Sequence, residues 1–335
     1  MGIGVINLYT KFSHYGGAQK MAIVLHQNLL FDCENFLMGF TNYDRIDQKY
    51  PRIDQKHYLS LTLKNIMKYR NYIFISHHRK ITTFLILLNK VFSLNLKVIH
   101  VSHNEFFSLK KLSFFPKKVV AVSNKVKLNL VEQFKIEDNR INVVYNGVED
   151  RLKKTAINQY DQSNIRILYP ARINSVKQQV RIVEHLRCTL NDNISIDFAG
   201  DGIDSDKLYQ LCKGTNRFRF IGFVNIPEII NDYDFIMLFT KNEGLPLSLI
   251  EACMFQKPIL ANNVGGNLEI LEKGNNGFEL SCFDRLGDEL NKLQFLSNNE
   301  YTSLALNARA TFEKKFTLDK MYSQYKEIIY GNSFY

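Results

Sequence analysis

Residues 235-FIMLFTKNEGLPLSLIEACMFQKPILA-261 decide how the chain folds. The apolar run 235–239 reads as a buried strand. A polar turn follows, with Gly244 and then Pro246. Proline suits the first turn of a helix, where its missing N–H is not needed, so a helix is expected over 246–255. The β-branched and apolar residues of 258–261 read as the next strand. Two strands joined through a helix form a parallel βαβ unit. The stretch also carries two acids, Glu243 in the turn and Glu251 in the helix. Nothing in an apolar helix calls for a carboxylate beside Ala252 and Cys253.

The same alternation runs outward in both directions. Upstream, strands are expected at 166–170, 195–199 and 217–221, with helices at 178–190, 205–212 and 227–231. Downstream, a helix is expected at 268–272. The first half repeats the pattern, with strands at 3–9, 72–76, 97–102, 119–122 and 142–145 and a helix at 18–30. Strands alternating with helices imply parallel doubly wound sheets. The polar segment 150–164, DRLKKTAINQYDQSN, reads as a linker. The expected organisation is therefore two Rossmann-like α/β domains, 1–150 and 151–318, facing a central cleft. A last helix over 319–335 is expected to pack back toward the first domain.

Bulk composition bounds the function. A chain of 335 residues is comfortable for two cores. The longest apolar run, near 83–88, stops at Asn89-Lys90, far short of the ~20 residues of a spanning helix. The start, MGIGVINLYTKF, reads as a strand without a basic leader, so no secretory signal is expected. The five cysteines are scattered and form no C-x-x-C, which suits a reducing cytoplasm and argues against a disulfide frame. Residues 1–150 hold 21 of the 43 basic and 11 of the 33 acidic residues, so the whole net charge of +10 lies there. Such a one-sided surface attracts a polyanion or an anionic membrane.

Glycine turns recur where strands end: Gly16-Gly17-Ala18, Gly200-Asp201-Gly202, Gly244 and Gly265-Gly266. Glycine before a helix lets a phosphate approach free N–H groups. In doubly wound sheets ligands bind at the carboxyl ends of strands.

The run 220-FIGFVNIPEIINDYDFIMLFTKNEGLPLSLIEACMFQKPILANNVGGNLEILEKGNNGF-278 resembles the C-terminal domain of the family 4 glycosyltransferases, which have the GT-B fold. The motifs are E-G-x-P, the two glutamates with seven residues between them, P-I-x-A and G-G-x-x-E. The resemblance extends to Ala171-Arg172 with Lys177, to Gly200-Asp201-Gly202 and to Tyr145-Asn146-Gly147-Val148. In the first half, Gly16-Gly17-Ala18 and Ser102-His103-Asn104 are similar to the family's loop glycines and loop histidine.

The resemblance implies a retaining transferase whose nucleotide-sugar donor, a UDP- or GDP-sugar, is a substrate, with no cofactor and no metal. It places Glu251 on the ribose, Glu243 toward the donor sugar, and the backbone of Gly244, Leu245, Pro246 and Leu247 by the phosphates. Gly16 and Gly17 join this binding set. Arg172 and Lys177 would neutralise the leaving diphosphate, and His103 completes the catalytic set. Two carboxylate oxygens suit a pair of vicinal hydroxyls, because charge-assisted bonds are the strong ones. Where the family has G-R-x4-K-G, this chain has Ala171 and Gln178 in place of the two glycines, which puts the loop geometry in question.

Each residue also has a plainer reading. Glu251 can be a solvated helix residue, Glu243 a turn residue, and Arg172 and Lys177 surface charges. His77, His78, His100 and His103 invite zinc, but no cysteine or acid completes a ligand set at suitable spacing. Asp204–Asp206 and Asp232–Asp234 form two D-x-D strings, read as structural. The stretch 106-FFSLKKLSFFPKK-118 interleaves aromatic residues with lysines. It suits an anionic inner-leaflet surface, against a core hairpin with solvated lysines or a base-stacking surface. No nucleic-acid motif accompanies the charge. The expected function is sugar transfer to a lipid-linked or polysaccharide acceptor in cell-surface glycan synthesis, at the inner face of the cytoplasmic membrane. The alternatives are an idle sugar-nucleotide binder on the same scaffold and a nucleotide-sugar epimerase.

Overall fold

The computed structural model describes residues 4–14, 16–152, 157 and 159–331. The chain divides into two compact units, Met1–Asn146 with Asp319–Tyr335, and Gly147–Leu318.

The first unit is built on β1 (Val5–Leu8), β2 (Asn35–Gly39), β3 (Tyr58–Ser60), β4 (Ile73–Ser76), β5 (Lys97–Ser102), β6 (Lys118–Ala121) and β7 (Ile141–Val143). Its helices are α1 (Gly17–Leu29), α2 (Leu63–Lys68), α3 (Arg79–Phe92) and α4 (Asn124–Phe134). The strands lie in the order β3-β2-β1-β4-β5-β6-β7, and every pairing is parallel. β1 is apolar but for Asn7 and β4 but for Ser76, and both are buried along their whole length. That is the composition of a strand covered by helices on both faces.

The second unit repeats the plan. Its strands are β8 (Ile165–Pro170), β9 (Ile194–Ala199), β10 (Phe218–Gly222), β11 (Phe235–Leu238), β12 (Ile259–Asn262) and β13 (Gly277–Leu280). They lie in the order β10-β9-β8-β11-β12-β13, all parallel. Its helices are α5 (Gln179–Leu186), α6 (Ser205–Cys212), α7 (Ile226–Ile229), α8 (Leu247–Met254), α9 (Asn267–Ile270), α10 (Phe283–Asn291) and α11 (Asn298–Lys315). In each sheet the order runs outward one way from the first strand and then restarts beside it. The reversal falls between β1 and β4 in one unit and between β8 and β11 in the other. Connections on the two sides of that point leave to opposite faces, which opens a crevice at the strand ends.

Element boundaries differ from the sequence reading by small amounts, with instructive exceptions. β5 and α6 coincide with the expected spans. α5 ends at Leu186 rather than 190, and Pro246 caps α8 from outside. Ile3 lies outside the described residues. Strands β2, β3 and β13 carry no expectation, because NFLMG, YLS and GFEL are too short for a clear period. The stretch 106–118 is not a core hairpin. It is a loop with one short 3-10 turn, Lys110–Leu112, and it leaves Phe107, Leu109, Leu112 and Phe114 exposed. Lys118 leaves that basic set, because it opens β6 as a buried residue.

The last helix, α12 (Leu318–Tyr330), buries Met321, Tyr325 and Ile329, one stripe at four-residue spacing. The Tyr322 hydroxyl donates to the Asp32 carboxylate, and Lys326 lies 3.7 Å from the same group. At its far end Lys118 Nζ donates to the carbonyls of Ile328 at 2.8 Å and Gly331 at 3.2 Å. These are helix-terminal carbonyls that lack an intrahelical partner, and a cation there also meets the negative end of the helix dipole. Lys118→Met is expected to lower the thermal unfolding temperature, by a loss of about 1–3 kcal/mol for a charged hydrogen-bonded group. A melt monitored by circular dichroism, with an exposed Lys117→Met control left unchanged, reads this out.

Candidate functional site

The crevice of the second unit is formed by the loops that follow β8 and β11. Asn174 shapes the first loop. Its side-chain oxygen accepts from the N–H groups of Val176 at 3.1 Å and Lys177 at 3.0 Å, and its carbonyl accepts from Lys177 and Gln178. This turn presents Lys177. The second loop runs beside it, with Lys241 N–H donating to the Val176 carbonyl at 2.9 Å. Tyr169, fully buried at the end of β8, joins both: its hydroxyl lies 2.7 Å from the Lys177 carbonyl and accepts from Phe239 N–H at 2.9 Å.

Lys177 Nζ and the Glu243 carboxylate form an ion pair across the reversal point. Their side chains are only 20% and 9% exposed. A pair so shielded is worth holding only when both charges are used or both are matched, since removing one partner strands the other. The sequence reading placed both residues in the site but did not foresee that they touch.

A third loop straps the second from the far side. Asn262, at the end of β12, accepts from Thr240 N–H at 3.0 Å and donates to its carbonyl at 2.8 Å. Asn267 Nδ2 donates to the Asn262 carbonyl at 3.0 Å, and Gly266 N–H donates to Gly244 at 2.8 Å. Gly265 has φ of +54°, and a Cβ there would come within 2.1 Å of the Glu243 carbonyl oxygen. Gly200 and Gly202 abut the first loop in the same way, each with room for no Cβ against the carbonyls of Ala171 and Ile173. Three glycines thus let the loops after β9 and β12 close on those after β8 and β11. Tyr169, Asn174 and Asn262 were not singled out from sequence, because a tyrosine or asparagine in a turn carries no spacing signal.

α8 starts at this point. Gly244, Leu245 and Pro246 are buried, and no side chain caps the helix. No acid occupies its first turn, so the dipole there is open to an anion. Glu251 stands half-buried one turn further on, and Arg172 is exposed at the start of the β8 loop.

The two missing glycines differ in consequence. Ala171 has no positive φ, so its backbone does not call for glycine. Gln178 has φ of +61° and ψ of 14°, the left-handed conformation glycine favours. Its amide donates to the Phe239 carbonyl at 3.3 Å. The loop therefore keeps a glycine-like backbone without a glycine.

The remaining expected residues belong to the first unit. Gly16 precedes α1 in an extended conformation and donates its N–H to Tyr50 Oη at 3.0 Å; Gly17 is the first residue of the helix. Neither lies in the unit that carries Glu243, Gly244 and Glu251. His103 follows β5 and meets His77, which follows β4, at 2.9 Å. Burial lowers His103 to about 4 and holds His77 well below its ordinary value, with the His103 and His100 rings adding to the effect. Both rings are neutral near pH 7. His100 instead bonds Thr82 at 2.7 Å. Among the described residues no group of three or more histidines, cysteines or acids could hold a metal ion. Of the D-x-D acids, Asp204 and Asp206 sit at the start of α6, and Asp234 accepts from Arg166 N–H at 2.8 Å.

Two doubly wound parallel sheets, one bearing a cation–carboxylate pair at its reversal point, define an α/β protein of the GT-B class. Residues 150–310 match the model of the family described as glycosyl transferases group 1. The N-acetyl-alpha-D-glucosaminyl L-malate synthase of Bacillus anthracis is 24% identical over 227 residues, covering 63% of this chain and 59% of that protein. The O-antigen biosynthesis glycosyltransferase WbnH of Escherichia coli is 26% identical over 222 residues, covering 66% and 62%. The matched region thus spans about three fifths of the length of these curated relatives. The Anabaena protein HepE, solved in complex with UDP, superposes with a TM-score of 0.83 at 18% identity, covering 99% of this chain and 100% of that one.

The conformation of Gln178 makes a quantitative prediction. Gln178→Ala keeps the left-handed strain and loses the bond to Phe239, whereas Gln178→Gly loses the bond but relieves the strain. The glycine variant is expected to be more stable than the alanine variant by about 1 kcal/mol. Denaturant titration of both checks it; an alanine variant as stable as the glycine one contradicts a strained loop.

Proposed function

We propose that the protein is a retaining, metal-independent glycosyltransferase. It moves a sugar from a UDP- or GDP-sugar to a lipid-linked or polysaccharide acceptor in cell-surface glycan synthesis. The observation that carries this reading is the buried Lys177–Glu243 pair beside the uncapped start of α8. A diphosphate at that helix start meets free N–H groups and the Lys177 cation, and these are the groups a departing nucleotide needs as its charge develops. Arg172 adds a second cation. Glu243 holds Lys177 in place and turns its remaining oxygen to the donor sugar, while Glu251, one turn along, takes the ribose hydroxyls. The leaving phosphate oxygen takes the acceptor's proton. The acceptor belongs to the first unit. The UDP bound in HepE and the O-antigen role in the name of WbnH agree with this reading.

The rival reading, an idle binder, drew its support from the two lost loop glycines. The left-handed backbone at Gln178 weighs against it, because the loop has kept the shape the glycine would provide. Incubation with UDP- and GDP-sugars, followed by nucleotide release, separates the readings. Slow donor hydrolysis is expected. Binding without turnover favours the idle binder, and an altered sugar still attached to its nucleotide favours an epimerase. Glu251→Ala is expected to weaken nucleotide binding about tenfold or more, the loss of a charged hydrogen bond. Unchanged affinity in that variant refutes the ribose assignment.

The reading extends to an anionic inner-leaflet surface as the place where the acceptor is met. In the 106–118 loop Phe107, Leu109, Leu112 and Phe114 are exposed beside Lys110, Lys111 and Lys117. α3 adds an exposed apolar row, Phe84, Leu87 and Val91, and Phe114 N–H donates to Thr83 on that helix at 3.1 Å. Each lysine near anionic lipid contributes about 1 kcal/mol. No helix among the described residues is long and apolar enough to cross a membrane, so contact would be peripheral. Flotation with anionic vesicles is expected to recover the protein, and with neutral vesicles far less. Equal, weak recovery from both overturns the membrane reading and leaves the transfer reading untouched.

A further inference from the structure

A row of buried polar side chains crosses the first unit's sheet in strand order. Asn35 stands at the start of β2, Asn7 in β1, His77 after β4 and His103 after β5, and these are four adjacent strands. Asn7, Asn35 and His77 are each less than 5% exposed. An asparagine in the middle of a strand whose other residues are Val, Ile and Leu calls for a reason, since an unsatisfied buried amide is costly.

The direction of every hydrogen bond in the row follows from its first member. The His26 carbonyl can only accept, so the group 2.6 Å from it is the Asn35 amide nitrogen. Asn35 therefore offers its oxygen to Asn7, which donates its own amide nitrogen at 3.4 Å. The Asn7 oxygen, turned the other way, faces His77 Nε2 at 3.2 Å, and that nitrogen must carry a proton. A neutral imidazole has one N–H, so His77 Nδ1 is bare and accepts. His103 Nε2, 2.9 Å from it, must then donate. The two rings lie with centroids 5.2 Å apart and planes only 23° from parallel. That is the geometry of rings joined edge to edge through nitrogen, rather than of rings stacked face to face. His103 Nδ1 is left with its lone pair, and no partner for it occurs among the described residues.

We propose that Asn35, Asn7 and His77 are positioning residues that set the tautomer of His103, so that its Nδ1 presents a lone pair to a hydroxyl of the sugar substrate. The identity of that hydroxyl rests on the function proposed above; the tautomer does not. Which nitrogen of a histidine carries the proton is decided by the bond the other one makes, and here the decision is carried back across four strands to a main-chain carbonyl. The low proton affinities of His77 and His103 keep both rings neutral and the pattern intact.

Long-range 15N–1H spectra of histidine-labelled protein read the tautomers directly, with His77 and His103 assigned by single substitutions. Both are expected as the Nε2–H form in the wild type. His77→Gln can donate to Asn7 and accept from His103 as the imidazole does, so it is expected to preserve the His103 tautomer. His77→Leu cannot, and the His103 signals are expected to move to a mixture of forms. In donor-hydrolysis assays His77→Leu is expected to lose about tenfold or more in kcat, as a mis-set tautomer does elsewhere, and His77→Gln to retain most of it. An Nδ1–H form of His103 in the wild type overturns the proposal, as does an unchanged His103 tautomer in folded His77→Leu. If the tautomers are as expected but no variant alters turnover, the relay stands and the role of His103 in the reaction falls.

Discussion

The ion pair between Lys177 and Glu243 sits where the order of the second sheet reverses, and the surrounding architecture serves that place. Parallel strands must all end on one edge, and a doubly wound order sends neighbouring connections to opposite faces at one point only. The loops after β8 and β11 are the two that part there. They are held together by main-chain and side-chain bonds from Val176, Tyr169 and Gln178. Side chains from opposite sides of the sheet's order can therefore face each other at bonding distance in a shielded site. A lysine in so closed a position is anchored by a carboxylate, and the same carboxylate stays within reach of whatever the lysine attracts.

The close approach of these loops is purchased with conformations that few residues tolerate. Gly200, Gly202 and Gly265 stand where a Cβ would collide with main-chain oxygen. Gln178 accepts a left-handed backbone, at a cost that its bond to Phe239 partly offsets. The first unit solves a related problem by polar means. Its reversal point, between β1 and β4, is crossed by Asn7 and His77, and the buried donors and acceptors there are matched in sequence from one strand to the next. One sheet thus closes its crevice with glycine and an ion pair, and the other carries a line of directed hydrogen bonds to the edge of its own.

Much of this was legible in the sequence. The period of apolar runs and polar turns located most of the strands, because a strand buried on both faces must be largely apolar, as β4, β8 and β11 are. It missed β2, β3 and β13, which are short and closed by polar residues or glycine. The placement of Lys177 and Glu243 in strand-end loops, and of Glu251 in the helix that follows, accords with motif spacing, since a loop of fixed length after a strand delivers its residues to one edge. For the 106–118 segment the sequence left an exposed surface and a core hairpin both open, because alternating aromatic and basic residues fit a pleated surface as well as an exposed loop. Lys118 illustrates the limit most sharply. It belongs to a basic cluster in sequence, yet it is spent on the carbonyls of a helix more than two hundred residues away.

The order of residues along the chain thus determined the alternation of strand and helix, the two doubly wound sheets and the glycines and charges delivered to their edges, all of which depend on local spacing and on which faces must be buried. Only the tertiary structure decided which of those charges touch, that Gln178 keeps the backbone of the glycine it replaces, and which way each hydrogen bond points from His26 to His103. These depend on the distance between residues remote in sequence and on the single proton each buried ring can carry, and neither quantity is written in a one-dimensional pattern.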